Sequence, residues 1–130
     1  MISNEELEKL LKDLESDRVE RTISTKDTDK YSKAICAFSN DLPNHQLPGY
    51  LLIGVKDDGN LNGLQATDEM LRFPGGLRDD IQPMPSINVN KIHFESGDVI
   101  VVEVSPSDLP PVRYKGQIWI RNGSRRAIAT

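Results

Sequence analysis

A single cysteine, Cys36, in 130 residues excludes an internal disulfide framework and points to a reducing compartment. No apolar run approaches the ~20 residues that a membrane-spanning helix needs. The opening Met1-Ile2-Ser3-Asn4-Glu5-Glu6 lacks the basic region and apolar stretch of a signal peptide. Together these absences read as a cytoplasmic protein that does not enter a membrane. Neither a Walker A loop nor a G-x-G-x-x-G stretch is present, so neither familiar phosphate cradle is encoded. His45 and His93 lie far apart, and neither has a metal-ligand spacing with Cys36. Ser39 and Ser124 have no recognisable base beside them, which argues against nucleophile roles. No repeat, low-complexity segment or linker divides the chain, so residues 1–130 read as one domain.

What is present is ordinary in kind and uneven in placement. Apolar residues make up 37% and charged residues 28%, values typical of a folded domain long enough to bury a core. The net charge of -4 argues weakly against a surface that binds nucleic acid all over. Its distribution says more than its sum. Residues 1–20 hold seven acids and three bases, whereas residues 112–130 hold five bases (Arg113, Lys115, Arg121, Arg125, Arg126) and no acid.

Periodicity supplies the elements. Ser3 and Glu6 have capping-box spacing, with Ile2 and Leu7 as a hydrophobic staple. Leu7, Leu10, Leu11 and Leu14 follow at helical spacing, an apolar stripe that packs on the core or forms a dimer contact. Residues 18–24 read as a short strand with Val19 and Ile23 on one face. Asp27 to Asp29 begins a second helix, whose Tyr31, Ala34, Ile35 and Phe38 share a face. The run Tyr50 to Val55 is uniformly apolar, as in a central strand covered on both sides. An Asp-Gly turn follows, with Leu61 to Leu64 as a short return strand. Thr67 or Asp68 caps a third helix, which Pro74-Gly75-Gly76 breaks. Residues 86–95 alternate, but change phase between Val89 and Ile92, which predicts a bulge. Val99 to Val104 is a second apolar strand. The last strand places Ile118 and Ile120 on one face and Gln117, Trp119 and Arg121 on the other. The fold class is α+β, with helices packed on a mixed sheet.

Two groups of residues have chemistry to offer. Glu15 and Glu20 bracket the first helix-strand junction, and Asp57 and Asp58 end the apolar strand. Were those strands neighbours, the carboxylates would converge at one rim of the sheet and suit Mg²⁺ or Mn²⁺. The alternative is ordinary turn chemistry and solvated acids. At the basic end, Trp119 beside Arg121, Arg125 and Arg126 can stack a base and hold phosphate. There the alternative is a buried indole with arginines that solubilise or pair with the acidic first helix.

Four blocks in order, "ESDRVE", "KAICAFSND", "YLLIGVKDDGNLNGL" and "PPVRYKGQIWIRNGSRRA", resemble the Schlafen-type Alba-like domain. The resemblance runs from about Glu15 to Thr130. It implies an Alba-like mixed sheet with about three helices. It further implies a DNA-binding domain at the N-terminus of bacterial transcriptional regulators or divergent AAA-type ATP-binding proteins, with any ATP site beyond Thr130. Related animal domains belong to a metal-dependent RNA endonuclease, whose two glutamates and aspartate fall on Glu15, Glu20 and Asp57. Under the binding reading, Lys115, Trp119, Arg121, Arg125 and Arg126 contact nucleic acid, DNA or RNA. Two departures stand out. Arg21-Thr22 replaces a usual Phe-Lys, and a loop from Asn40 to Gly49 replaces a tight Asn-Thr-x-Gly-Gly turn.

Overall fold

The computed structural model describes residues 2–14, 16–123 and 125–129. Helix α1 (Asn4–Lys12) starts at the expected capping box: Ser3 accepts from the Glu6 amide while Glu6 reaches back to the Ser3 amide. Strand β1 (Val19–Thr22) leads into α2 (Thr28–Asn40), capped by the Asp27 side chain on the Lys30 amide. Strand β2 (Gly49–Ile53) follows, then the short α3 (Asp68–Arg72) capped by Thr67. A 3-10 turn begins at Pro74, where the lost donor is cheapest, and runs to Asp80. Strands β3 (Ile81–Gln82), β4 (Ile87–Phe94), β5 (Gly97–Val104), β6 (Arg113–Tyr114), β7 (Trp119–Asn122) and β8 (Arg125–Ile128) complete the chain. No helix among the described residues is long and apolar enough to cross a membrane.

The main sheet has the order β1-β2-β5-β4, with β1 parallel to β2 and the other pairs antiparallel. The run of apolar residues in β2 and β5 is explained by cover on both faces. Leu51, Ile53, Ile100, Val102 and Val104 pack toward α2, together with Leu77, Ile81 and Tyr114. Tyr50, Leu52, Val99 and Val101 pack toward Leu7 and Leu11 of α1 on the opposite face. The leucine stripe is therefore core at Leu7 and Leu11. Leu14 lies beyond the helix end and is exposed. β7 and β8 form a separate hairpin laid against α2.

The structure corrects several expectations. Strand β4 has no bulge: its register with β5 is unbroken from Ile87↔Val104 to Phe94↔Gly97. The change of phase has another cause. Ile87 and Val89 pack on the α2 side, whereas Ile92 and Phe94 pack on the α1 side, because different elements cover the two ends of this edge strand. Ile23 lies outside β1 and is exposed. Leu61 to Leu64 forms no strand, only a bridge between Val55 and Leu61. That segment is instead held by Asp98, whose Oδ2 accepts from the Ala66 amide (2.9 Å) and whose own amide donates to the Leu64 carbonyl (2.8 Å). Asp98 Oδ1 also pairs with His93 Nδ1 at 2.6 Å, which gives His93 a structural partner.

Gly49 sets how closely α2 approaches the sheet. A Cβ there would lie 2.2 Å from the Phe38 ring and 2.7 Å from the Phe38 Cβ, too near the base of the side chain for the ring to swing clear. Gly49→Ala is expected to destabilise the fold by about 1–3 kcal/mol through overpacking, as measured by urea unfolding. A second prediction concerns acid. Hydrogen bonds from His93 and then the Ala66 amide hold the Asp98 carboxyl below its ordinary value. Its contribution is therefore complete above the unfolded value near pH 4 and is lost as pH falls through the folded one. The difference in unfolding midpoint between the protein and Asp98→Asn should stay level from pH 7 to about pH 4 and shrink as the pH falls further.

Candidate functional site

The four residues of β1 are all buried although the strand lies at the sheet edge, and two of them are charged. Alternation sends Glu20 and Arg21 to opposite faces. Arg21 turns toward α1, where Nη2 donates to the carbonyls of Leu10 (2.7 Å) and Asp13 (2.8 Å) and so satisfies the open end of the helix. Burial pulls its guanidinium below the ordinary value, against the pull of Asp13 and Asp57. Glu20 turns toward α2 and is 8% exposed. It meets Arg121 of β7, whose Nη1 donates to Oε1 at 2.5 Å while Nη2 donates to the Val19 carbonyl at 2.7 Å. Arg121 is 4% exposed, and its guanidinium lies 5.3 Å from the Phe38 ring centre. Burial lowers its proton affinity and Glu20 raises it. A second guanidinium, that of Arg126 on β8, brings Nε to 3.1 Å from Glu20 Oε2.

The hairpin is fixed from α2 as well. Asn40 turns its amide to the last third of the chain: Nδ2 donates to the Val112 carbonyl (2.9 Å) and the Trp119 carbonyl (2.7 Å), and Oδ1 accepts from the Val112 amide (2.6 Å). Three residues from Trp119 to Arg121 thus sit between α2 and β1. Arg121 is the most buried residue of this strand, and Ile118 and Ile120 are only half-buried.

Between β1, α2 and the hairpin lies an open cavity of about 550 Å³. Arg21, Lys30, Lys33, Arg121, Arg125 and Arg126 line it, against two acids, Glu20 and Asp57, with Trp119 in the wall. Lys33 stands 4.5 Å over the Trp119 ring and pairs with Asp29 at 2.9 Å. The buried indole Nε1 has no hydrogen-bond partner among the described residues. The acids and the basic end, separate features of the sequence, meet in one place in the fold.

Of the expected contacts, Trp119, Arg121, Arg125 and Arg126 line the cavity. Lys115 does not: it points to Asp29 at 3.9 Å and lies over the Tyr114 ring. Lys30 and Lys33 were missed. Their signal was a pair of lysines at i and i+3 on the polar side of α2, where they share a face. Glu20 and Asp57 share the cavity, and Glu15 lies outside the described residues. Both Glu20 oxygens already face guanidiniums, and no group of three or more His, Cys, Asp or Glu among the described residues is arranged to hold a metal. The described residues therefore do not fit Mg²⁺ or Mn²⁺. Ser39 donates to its own helix at the Ile35 carbonyl, and Ser124 lies outside the described residues. His45, on the long loop, pairs with Asp17 at 2.8 Å.

Comparison with known proteins agrees with the architecture. The Schlafen, AlbA_2 family model matches residues 15–130. No curated protein is matched. Among solved structures, the N-terminal domain of a RecG-related protein from Nitrosomonas europaea is similar at a TM-score of 0.62. The identity is 23%, over 100% of this chain and 91% of that one. The DIP2311 protein from Corynebacterium diphtheriae is similar at a TM-score of 0.60 and 14% identity, over 87% of this chain. This chain spans only 22% of that protein's.

The buried pair makes a stability prediction. Glu20→Ala should cost about 3–5 kcal/mol, because Arg121 is left charged and buried without its acceptor. Combining Glu20→Leu with Arg121→Met should recover most of that loss. Denaturant unfolding of the single and double variants measures both, and independent, additive losses would mean that the pair does not act as a unit.

Proposed function

Because the chain belongs to the Schlafen, AlbA_2 family, we propose that it binds nucleic acid and that the cavity between β1, α2 and the β7–β8 hairpin receives the phosphate backbone. One observation carries the reading: six cationic side chains against two acidic ones line one concavity of a chain whose net charge is -4. Charge concentrated in a concave, partly dry surface focuses the field there and attracts a polyanion despite the sign of the whole. Arg125, Lys30 and Lys33 are the phosphate contacts in this proposal. Trp119 is a wall against which a base can rest. Arg121 is a positioning residue, since its donors are committed to Glu20 and Val19. The domain would serve as the N-terminal nucleic-acid-binding part of a longer bacterial protein, a transcriptional regulator or a helicase relative. The N-terminal domain of the Nitrosomonas protein, similar along this whole chain, supports that placement.

The endonuclease reading has one supporting observation, the shared position of Glu20 and Asp57 on the cavity. Cleavage of structured RNA in the presence of Mn²⁺ that disappears in Asp57→Ala would move the chemistry here. Binding without cleavage leaves the cavity a binding site.

Trp119 is the sole tryptophan, so its fluorescence reports occupancy of the cavity directly. Three phosphate contacts should give a slope of log K against log salt of about -2.7 on duplex DNA, or about -2.1 on single strands. Arg125→Ala should reduce the duplex slope to about -1.8. Absence of binding to duplex DNA, single strands and RNA at low salt would overturn the proposal.

A further inference from the structure

The two guanidiniums on Glu20 are unequal. Arg121 is buried, donates a well-aligned hydrogen bond to Oε1 at 2.5 Å, and holds the Val19 carbonyl with its other nitrogen. The Arg126 side chain is 25% exposed and lines the cavity. Its Nε reaches Oε2 at 3.1 Å, yet Oε2 receives no aligned hydrogen bond from it. One carboxylate thus sits between a fixed cation behind it and a loosely held cation in front. A carboxylate facing a guanidinium presents the oxygens that a phosphate presents.

We infer that Glu20 is an internal counter-anion of the cavity, which neutralises Arg126 in the free protein and competes with a ligand phosphate for it. The inference rests on the nucleic-acid reading and gives that site a control of its own. Arg126 is a latent phosphate contact. Entry of a phosphate at this position must take Arg126 away from Glu20, and Glu20 remains neutralised by Arg121 when it does. Glu20 therefore weakens binding, although its carboxylate lies in the middle of the binding machinery. It also favours ligands that bring enough phosphate density to displace it over weak monoanions.

The test uses the isosteric Glu20→Gln, which removes the charge while keeping an oxygen for Arg121. Binding to duplex DNA should tighten severalfold at fixed salt, and the salt slope should steepen from about -2.7 to about -3.6 as a fourth contact is gained. Arg126→Ala alone should leave the slope near that of the parent, whereas in the Glu20→Gln background it should return the slope to about -2.7. Should Glu20→Gln not fold, Arg126→Ala in the parent decides alone: a loss of about 0.9 in slope would show Arg126 already on phosphate and overturn the inference. Weaker or unchanged binding by folded Glu20→Gln also overturns it. If the parent binds no nucleic acid, it is the cavity reading that fails. Binding by the parent without a response at Glu20 removes the counter-anion and leaves the cavity reading standing.

Discussion

The Glu20–Arg121 contact joins residues 101 positions apart and ties the β7–β8 hairpin, which carries much of the candidate site, to β1. Without it, β7 and β8 would be a two-stranded hairpin resting on one helix, and such a ribbon has little stability of its own. A buried ion pair gains little net free energy over a well-packed apolar pair, because removing two charges from water offsets most of the attraction. What it supplies is position. The planar guanidinium of Arg121 donates to a carboxylate and a main-chain carbonyl and lies by an aromatic ring at once, a combination that a lysine ammonium could not reproduce. The hairpin is thereby held at one height over β1, and Arg125, Arg126 and Trp119 are carried with it.

The same contact resolves a difficulty of the sheet. β1 is short, lies at the edge, and presents its outer backbone to whatever is nearby. Its Val19 carbonyl is taken by Arg121, while Arg21 spends its donors on the end of α1. Charged side chains on both faces of one edge strand therefore serve two elements that do not belong to the sheet. Polar burial here costs little, because most of the charged groups meet a partner.

The sequence made the regular parts legible and the assembled site illegible, for one physical reason. The cap of α1, the apolar face of α2, and the doubly covered β2 and β5 are written within windows of a dozen residues, where helical and strand periods act. Glu20, Asp57, Lys33 and Arg126 belong to four separate stretches, and no local period connects them. Local reading also failed where cover is irregular. The phase change in β4 came from different elements covering its two ends, and the burial of Arg121 came from a hairpin lying on a helix. Lys115, adjacent in sequence to the basic end, faces Asp29 instead. The family resemblance supplied Glu20 and Asp57 as neighbours, and the fold added what the resemblance did not contain: both lie among arginines and lysines.

That mixture changes what the polarity of the chain means. The acidic first helix covers one face of the sheet, while the basic residues gather on the side of α2, so the two charge excesses are separated by the apolar core. An exposed acidic surface elsewhere is screened within about 8–10 Å at physiological salt and does little to cancel the field inside a concave site. Glu20 is different, because it lies within the cavity at ion-pair distance and its charge is not screened by bulk solvent. One carboxylate can then outweigh the remaining acids in setting how strongly the cavity attracts a polyanion. Structural and functional demands meet at that residue with opposite signs. Its charge holds the hairpin in place through Arg121, and the same charge occupies Arg126, which the cavity would otherwise offer to a phosphate.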